Sequence, residues 1–212
     1  MSNGCAIVAF AAVALTAGLS AGQDATQPSA APATSENRVT SAASFLGGAA
    51  VGLAAHEAGH LLFDGIFDAN PGIKRVSFGG IPFFAITHDV MSPREEFIID
   101  SAGFWVQEAT NEILLTRRPN LRNEHAPFTK GVFAFNVLVS VGYAGTAFAR
   151  VGPAERDTRG MAQSLGWKEP YVGLLILVPA VLDIVRYYNP DARWATWGSR
   201  GAKIGGVALI AR

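Results

Sequence analysis

The sequence predicts a mainly α-helical protein: a polytopic membrane helix bundle of about four transmembrane helices, with a short β-hairpin after the first. Half of the 212 residues are hydrophobic and only 16% are charged, whereas soluble domains carry about 25% charged residues. Several apolar runs approach the roughly 20 residues that a helix needs to cross a bilayer. The formal net charge is zero, which argues against nucleic acid as a partner and leaves membrane lipid as the expected surroundings.

Two segments precede the expected folded domain. Residues 1–22 are small and apolar, which is typical of a signal peptide, but no basic residue precedes Arg38, so an uncleaved N-terminal anchor is the alternative. Residues 23–38 are mostly Ala, Thr, Ser, Pro and Gln, the composition of a disordered linker. We therefore expect a membrane-embedded domain at residues 39–212, in an integral protein of a bacterial inner membrane.

The first two elements follow from the spacing of apolar and turn-forming residues. Residues 41–67 predict a helix long enough to span a bilayer, because the first acidic residue in them is Glu57. Residues 72–87 combine large apolar side chains with Gly79, Gly80 and Pro82, which favours a β-hairpin over a helix.

Three further helices are expected after the hairpin. The second helix starts after the capping residue Ser92 and Pro93, with Glu95 and Glu96 in its first turn, and continues to about Leu115. Residues 132–149 and 171–188 are two more apolar runs near spanning length. A soluble helical protein with unusually apolar buried helices is the alternative, and polar residues in the second helix favour it.

The first helix carries an H-E-x-x-H motif, in which His56 and His60 flank Glu57. Histidines four residues apart lie on one helical face, so both imidazoles can reach one metal ion. A catalytic Zn²⁺ site needs three protein ligands, an open position for water and a carboxylate to take the proton of that water, and Glu57 is placed for this last role. The alternative is a polar face at a helix interface, with both histidines satisfied by hydrogen bonds.

The third zinc ligand has several candidates, and none of them is a cysteine because the only cysteine lies near the N-terminus. Asp183 is favoured as a lone carboxylate in an apolar run, where Pro179 would kink the helix and aim it inward. An ion pair between Asp183 and Arg186 is the alternative role for this aspartate. Glu108 or Glu112 would be the ligand in a soluble zincin.

The second helix also carries a polar stripe. Asp100, Gln107 and Asn111 point in similar directions from a helix. Gln107 and Asn111 could then bind substrate backbone or help to hold a developing oxyanion. His88 and Asp89, which follow the hairpin, are weaker ligand candidates.

The order of these features resembles the site-2 protease family of intramembrane zinc metalloproteases, over about residues 40–190. The matching pieces are the H-E-x-x-H helix, the glycine-rich residues 72–80, the segment from Ser92 into Ala102-Gly103, and Leu182-Asp183. The sequence departs from the family pattern at Phe104, where the family has proline, and at Ile184, where it has glycine.

The resemblance implies zinc bound by His56, His60 and Asp183, with Glu57 as the general base and Asn111 in the place of the family's helix asparagine. The expected function is a zinc-dependent intramembrane endopeptidase that hydrolyses peptide bonds of membrane-associated substrates, either peptides or transmembrane proteins. The first alternative is a non-catalytic membrane protein that keeps the motif for metal binding or packing. The second alternative is a soluble secreted zincin.

Overall fold

The computed structural model describes residues 4–6, 35–78 and 80–209 of the chain, and within them the protein is mainly helical, as predicted. These residues form six α-helices: α1 Ser35–Ile66, α2 Pro93–Arg117, α3 Pro127–Ala149, α4 Asp157–Leu165, α5 Glu169–Tyr188 and α6 Arg193–Ala208. A short 3-10 turn, Leu121–Asn123, joins α2 to α3. Most of the expected signal segment and linker lies outside the described residues.

Four of these helices, α1, α2, α3 and α5, correspond to the four that the sequence predicts, and two were not expected. Helix α1 begins at Ser35, inside the expected linker. Helix α4 has only nine residues and lies in a stretch that is largely polar. Helix α6 contains four glycines, which lower helix propensity in water. Neither α4 nor α6 has the long apolar run on which the sequence-based prediction depends.

The predicted hairpin is present between α1 and α2. Strands β2, Gly72–Phe78, and β3, Ile81–Thr87, pair antiparallel from Gly72 opposite Thr87 to Phe78 opposite Ile81. Gly80, in the turn, has a φ angle of +81°, which glycine adopts at little cost. A third strand, β1, Gly4–Ala6, pairs antiparallel with the other edge of β3.

Among the described residues, three helices are long and apolar enough to cross a membrane, namely α1, α3 and α5. The fourth expected span, α2, is not one of them, because its buried residues include Glu96, Asp100 and Glu108. Only 17% of the residues in the apolar window of α1 are buried inside the protein. Most residues of this window are therefore at least partly exposed on the described part of the protein, as in a lipid-facing helix.

Close contact between α1 and α3 depends on two glycines. A Cβ atom at Gly48 would lie 2.0 Å from the carbonyl oxygen of Phe128, and one at Gly131 would lie 1.9 Å from that of Phe45. Small residues at such a crossing let two helix backbones approach each other. Helix α1 also packs against α2, so the turn that bears the H-E-x-x-H motif is enclosed.

Candidate metal centre

Both histidines of the motif point into the protein interior. The exposed fraction of the side chain is 1% for His56 and 0% for His60. Their Nε2 atoms lie 3.2 Å apart. One turn of α1 therefore brings both imidazoles to one point, as the spacing predicts.

The third donor at this point is Asp157, the first residue of α4. Its Oδ2 atom lies 3.5 Å from Nε2 of His56 and 3.7 Å from Nε2 of His60. Two ligands of a tetrahedral zinc ion, each about 2.0–2.2 Å from the metal, are about 3.3–3.6 Å apart. The separations of the three donor atoms therefore fit one zinc ion, and the two-imidazole, one-carboxylate set is a donor set that catalytic zinc uses.

A hydrogen bond orients the ring of His60. Its Nδ1 atom donates to the carbonyl oxygen of Ile99 on α2, at 2.7 Å. This bond places the ring proton on Nδ1 and leaves the lone pair of Nε2 directed at His56 and Asp157. Metal-binding histidines commonly have such a second contact, which holds both the tautomer and the ring orientation.

The ring of His56 occupies space that a glycine leaves open. A Cβ atom at Gly103 of α2 would lie 2.4–2.5 Å from three atoms of that ring. Phe104, where the family pattern has proline, packs edge-on against the same ring at a centroid distance of 5.4 Å. The backbone of α2 and the side chain of Phe104 together determine where the His56 imidazole can lie.

The position of Asp157 depends on the residues beside it. Arg156 donates two hydrogen bonds of 2.6 Å to the carboxylate of Glu169, at the start of α5. Thr158 donates a third hydrogen bond, of 2.8 Å, to Glu169. Because both neighbours of Asp157 bind one carboxylate, the first turn of α4 is tied to α5, and Asp157 is held towards the histidines.

Glu57 lies beside this cluster on α1. Its side chain is 8% exposed, and neither carboxylate oxygen has a hydrogen-bond partner among the described residues. Because Glu57 directly follows His56, its side chain leaves α1 within one turn of both histidines. Burying a carboxylate without a hydrogen-bond partner destabilises the folded protein. Such a group is expected where the carboxylate binds a substrate or a water molecule.

The structure does not bring Asp183 to the histidines. Its carboxylate instead accepts hydrogen bonds from Ser199 at 2.6 Å and from Lys203 at 2.9 and 3.0 Å. Arg186 lies 3.3 Å away, so the alternative i, i+3 ion pair is the one observed. Asp183 is paired with cations of α5 and α6, and Asp157 is the carboxylate that lies beside the two histidines. The sequence placed Asp157 in a polar stretch, where a single carboxylate carries no local signal of metal binding.

The two other ligand candidates on α2 also lie in this charged region. Glu112 receives hydrogen bonds from Arg186, Arg200 and Lys203, which lower its pKa although burial alone would raise it. Burial raises the pKa of Glu108 to about 8, with the charge of Lys203 opposing the rise. Neither glutamate belongs to the donor group of the two motif histidines.

The amide residues proposed to contact substrate are buried on α2. Asn111 accepts a hydrogen bond of 2.9 Å from Asn136, so its side chain connects α2 to α3. The side-chain amide of Gln107 has no hydrogen-bond partner among the described residues. A role for either residue in substrate binding stays a prediction.

A scan against protein-family models and searches of curated proteins and of solved structures found no match to this chain. The resemblance to site-2 proteases therefore depends only on the order of the sequence motifs in this chain, and it stays a prediction.

Proposed function

We propose that this chain is a zinc-dependent endopeptidase that hydrolyses peptide bonds of membrane-associated substrates. One observation carries the proposal: donor atoms of His56, His60 and Asp157 lie 3.2–3.7 Å apart, at the turn of α1 that also bears the buried Glu57. Because the motif lies on α1, which is long and apolar enough to cross a membrane, we place the reaction within or next to the bilayer.

Each residue has a distinct part in the proposed reaction. His56, His60 and Asp157 would hold the zinc ion. Zinc, when bound, would supply Lewis-acid activation of a water molecule and of the scissile carbonyl group. The carboxylate of Glu57 would take a proton from the attacking water and pass it to the nitrogen of the leaving amine. The buried position of these side chains would exclude bulk water from the reaction.

The substrate would have to be extended where it is cut. A helical transmembrane segment has its backbone groups paired internally, so it must unwind before hydrolysis. The edge of β3 that does not face β2 pairs with an extended segment of this chain, residues 4–6. A substrate segment could bind the hairpin by the same kind of strand addition. Since the motif histidines and Asp157 are almost fully buried, we expect substrate entry to require movement of a neighbouring element.

A non-catalytic protein is the second candidate, and one observation favours it. The 3.2 Å between the Nε2 atoms of His56 and His60 is also a hydrogen-bond distance. The imidazoles could therefore satisfy each other in a packed helix interface without a metal ion.

Replacing Glu57 distinguishes the two candidates. The detergent-purified chain and its Glu57→Gln variant would each be incubated with zinc and fluorescently labelled casein. Glu124→Gln is the control, because Glu124 lies in a partly exposed ion pair. We expect Glu57→Gln to retain the zinc content of the parent and lose at least about 100-fold in hydrolysis, the usual contribution of a general base. Full activity in Glu57→Gln, or a parent that takes up no zinc, would overturn the proposal.

A further inference from the structure

A second buried group of metal-binding side chains lies next to the first. His88 follows β3, and Glu96 and Asp100 lie one turn apart on α2. All three side chains are buried, and His88 is 3% exposed. Nε2 of His88 lies 3.7 Å from Oε2 of Glu96 and 3.9 Å from Oδ1 of Asp100.

We propose that His88, Glu96 and Asp100 form a second binding site for a divalent metal ion. The site is distinct from the centre at His56 and His60, and it does not depend on the proposed peptidase activity.

The ring of His88 is oriented as a metal ligand would be. Its Nδ1 atom lies 2.9 Å from the backbone carbonyl oxygen of Asp89, to which it donates a hydrogen bond. This bond leaves the lone pair of Nε2 facing two carboxylates, and Nε2 has no hydrogen-bond partner among the described residues. The ring of His60 is oriented by the same kind of contact in the first centre. Such a bond to a backbone carbonyl is the usual second contact of a ligating histidine.

The distances within the group exceed hydrogen-bond lengths but suit a shared ion. At 3.7 and 3.9 Å, the imidazole of His88 is too far from either carboxylate for a hydrogen bond. Two ligands of a metal ion bound at about 2.1–2.2 Å lie roughly 3.5 Å apart, so a small inward movement would complete the coordination. The backbone N–H of Met91 donates to Oε1 of Glu96 at 3.0 Å, which leaves Oε2 to face His88.

Among the described residues, no lysine or arginine is paired with the carboxylates of this group. Within the described part of the chain, the ion-pair partner recorded for Glu96 and Asp100 is His88 rather than a lysine or an arginine. Asp64, on α1, is also buried, and neither of its carboxylate oxygens has a hydrogen-bond partner among the described residues. It lies near enough to His88 and Glu96 to interact with them electrostatically. Buried carboxylates are normally paired with cations or coordinate metals. A divalent ion bound by neutral His88 and these carboxylates would balance their charge.

Helix α4 packs closely against the carboxylate of Asp100. A Cβ atom at Gly160 would lie 1.9 Å from Oδ2 of Asp100, so only glycine allows α4 to pack there. Helix α4 also carries Asp157, and the charge of Asp157 acts on Asp100. His60 and Asp64 are one turn apart on α1, and His60 belongs to the first centre. The two groups are therefore neighbours that share supporting helices and use different donor atoms.

The donor set indicates the class of ion. One imidazole and two or three carboxylates provide more oxygen ligands than the first centre does. Carboxylate ligands suit Mn²⁺, and imidazole ligands suit Zn²⁺. We therefore choose Mn²⁺ and Zn²⁺ as the two probes. With no cysteine in either group, preference for a soft monovalent metal is not expected.

Counting bound ions in matched variants tests the proposal. The full-length chain, purified in detergent and stripped with a chelator, would be reloaded with Zn²⁺ alone or Mn²⁺ alone, and elemental analysis would give the ions per chain. We expect two zinc ions in the parent, one in His88→Ala and one in His56→Ala, and none in the double variant. His125→Ala, which changes an exposed histidine that lies near Ser41, would retain both ions.

The outcomes separate failure of this proposal from failure of the peptidase proposal. One ion in the parent that persists in His88→Ala and disappears in His56→Ala overturns the second site and leaves the first intact. One ion that disappears only in His88→Ala supports the second site and removes the basis of the peptidase. Should His88→Ala fail to fold, Glu96→Gln replaces it, because the amide keeps the shape of the side chain and removes its charge. A parent that binds no ion overturns both sites and leaves a protonated His88 as the counter-ion of the carboxylates.

Discussion

Two buried aspartates in this protein have opposite surroundings. Asp157, at the start of α4, faces two imidazoles at 3.5 and 3.7 Å. Asp183, in the middle of the apolar helix α5, faces Lys203, Arg186 and Ser199. Their exposed fractions are 0% and 1%, so burial alone does not distinguish them.

The comparison shows that the identity of the neighbours, rather than the apolar sequence around a carboxylate, indicates its role. The chain itself supplies cations to Asp183, and a metal ion there would compete with Lys203 and Arg186. Asp157 faces the imidazoles of His56 and His60, whose lone pairs could bind a metal ion together with its carboxylate. We therefore expect Asp183 to stabilise the fold and Asp157 to bind zinc.

The largest expected effect is on zinc content after exchange of each aspartate for asparagine. Asp157→Asn should lose the zinc held by His56 and His60, because a three-ligand site cannot keep the ion firmly with two ligands. Asp183→Asn should keep this zinc and lose about 3 kcal/mol of stability, since removing one partner leaves Lys203 partly uncompensated. Elemental analysis and thermal unfolding in detergent would measure the two effects.

The reverse pattern, with zinc kept in Asp157→Asn and lost in Asp183→Asn, would restore the ligand set that the family resemblance implies. It would also mean that α4 and α5 move substantially when the metal binds.

The second prediction concerns the space around His56. Gly103→Ala should remove most of the bound zinc, because the added Cβ would overlap the His56 ring, at 2.4–2.5 Å from three of its atoms. Gly145→Ala on α3 is the matched control, since a Cβ there meets no atom within 4 Å. Both changes replace a helical glycine by alanine, so any gain in helix propensity is shared. Equal zinc content in the two variants would contradict the geometry of the first centre.

A smaller effect is expected from the contact that positions Asp157. Arg156→Lys keeps the positive charge but loses the two-pronged contact with Glu169, because an ammonium group has no planar fork. We expect zinc affinity, measured by competition with a chelator, to fall by about 10-fold, as for other residues that support a metal ligand. Arg159→Lys, an exposed change on the same helix, should leave the affinity unchanged.

The remaining prediction is a pH dependence of stability in the region around Asp183. Burial raises the pKa of Glu108 to about 8 from an ordinary value of 4.5, so folding favours its protonated form. The resulting stabilisation is present below pH 4.5 and is lost as the pH rises towards 8, at up to about 1.4 kcal/mol per pH unit. Glu108→Gln removes this dependence.

The unfolding temperature of the parent should therefore fall relative to that of Glu108→Gln between pH 5 and pH 9. A constant difference across this range would mean that Glu108 stays ionised beside Lys203. The control is Glu124→Gln, because Glu124 lies in a partly exposed ion pair.

The sequence predicted the parts of the fold that depend on local patterns. Long apolar runs predicted α1, α3 and α5, and the N-cap at Ser92 predicted the start of α2, where the capping box is present. Glycines and a proline among apolar residues predicted the hairpin. The short helices α4 and α6 were missed, because neither has a long apolar run and their stability comes from contacts with other helices.

For the metal centre, the sequence alone determined that two histidines and a glutamate share one turn of α1, because helical periodicity acts over four residues. Only the tertiary structure decided which carboxylate joins them. Asp157 is 97 residues beyond His60 in the chain, and its approach depends on how α4 packs against α2 and how Glu169 holds its first turn. The environment of Asp183 was decided in the same way, by cations that α6 brings to α5. Charge and distance between remote helices are properties of packing, and no local pattern of residues encodes them.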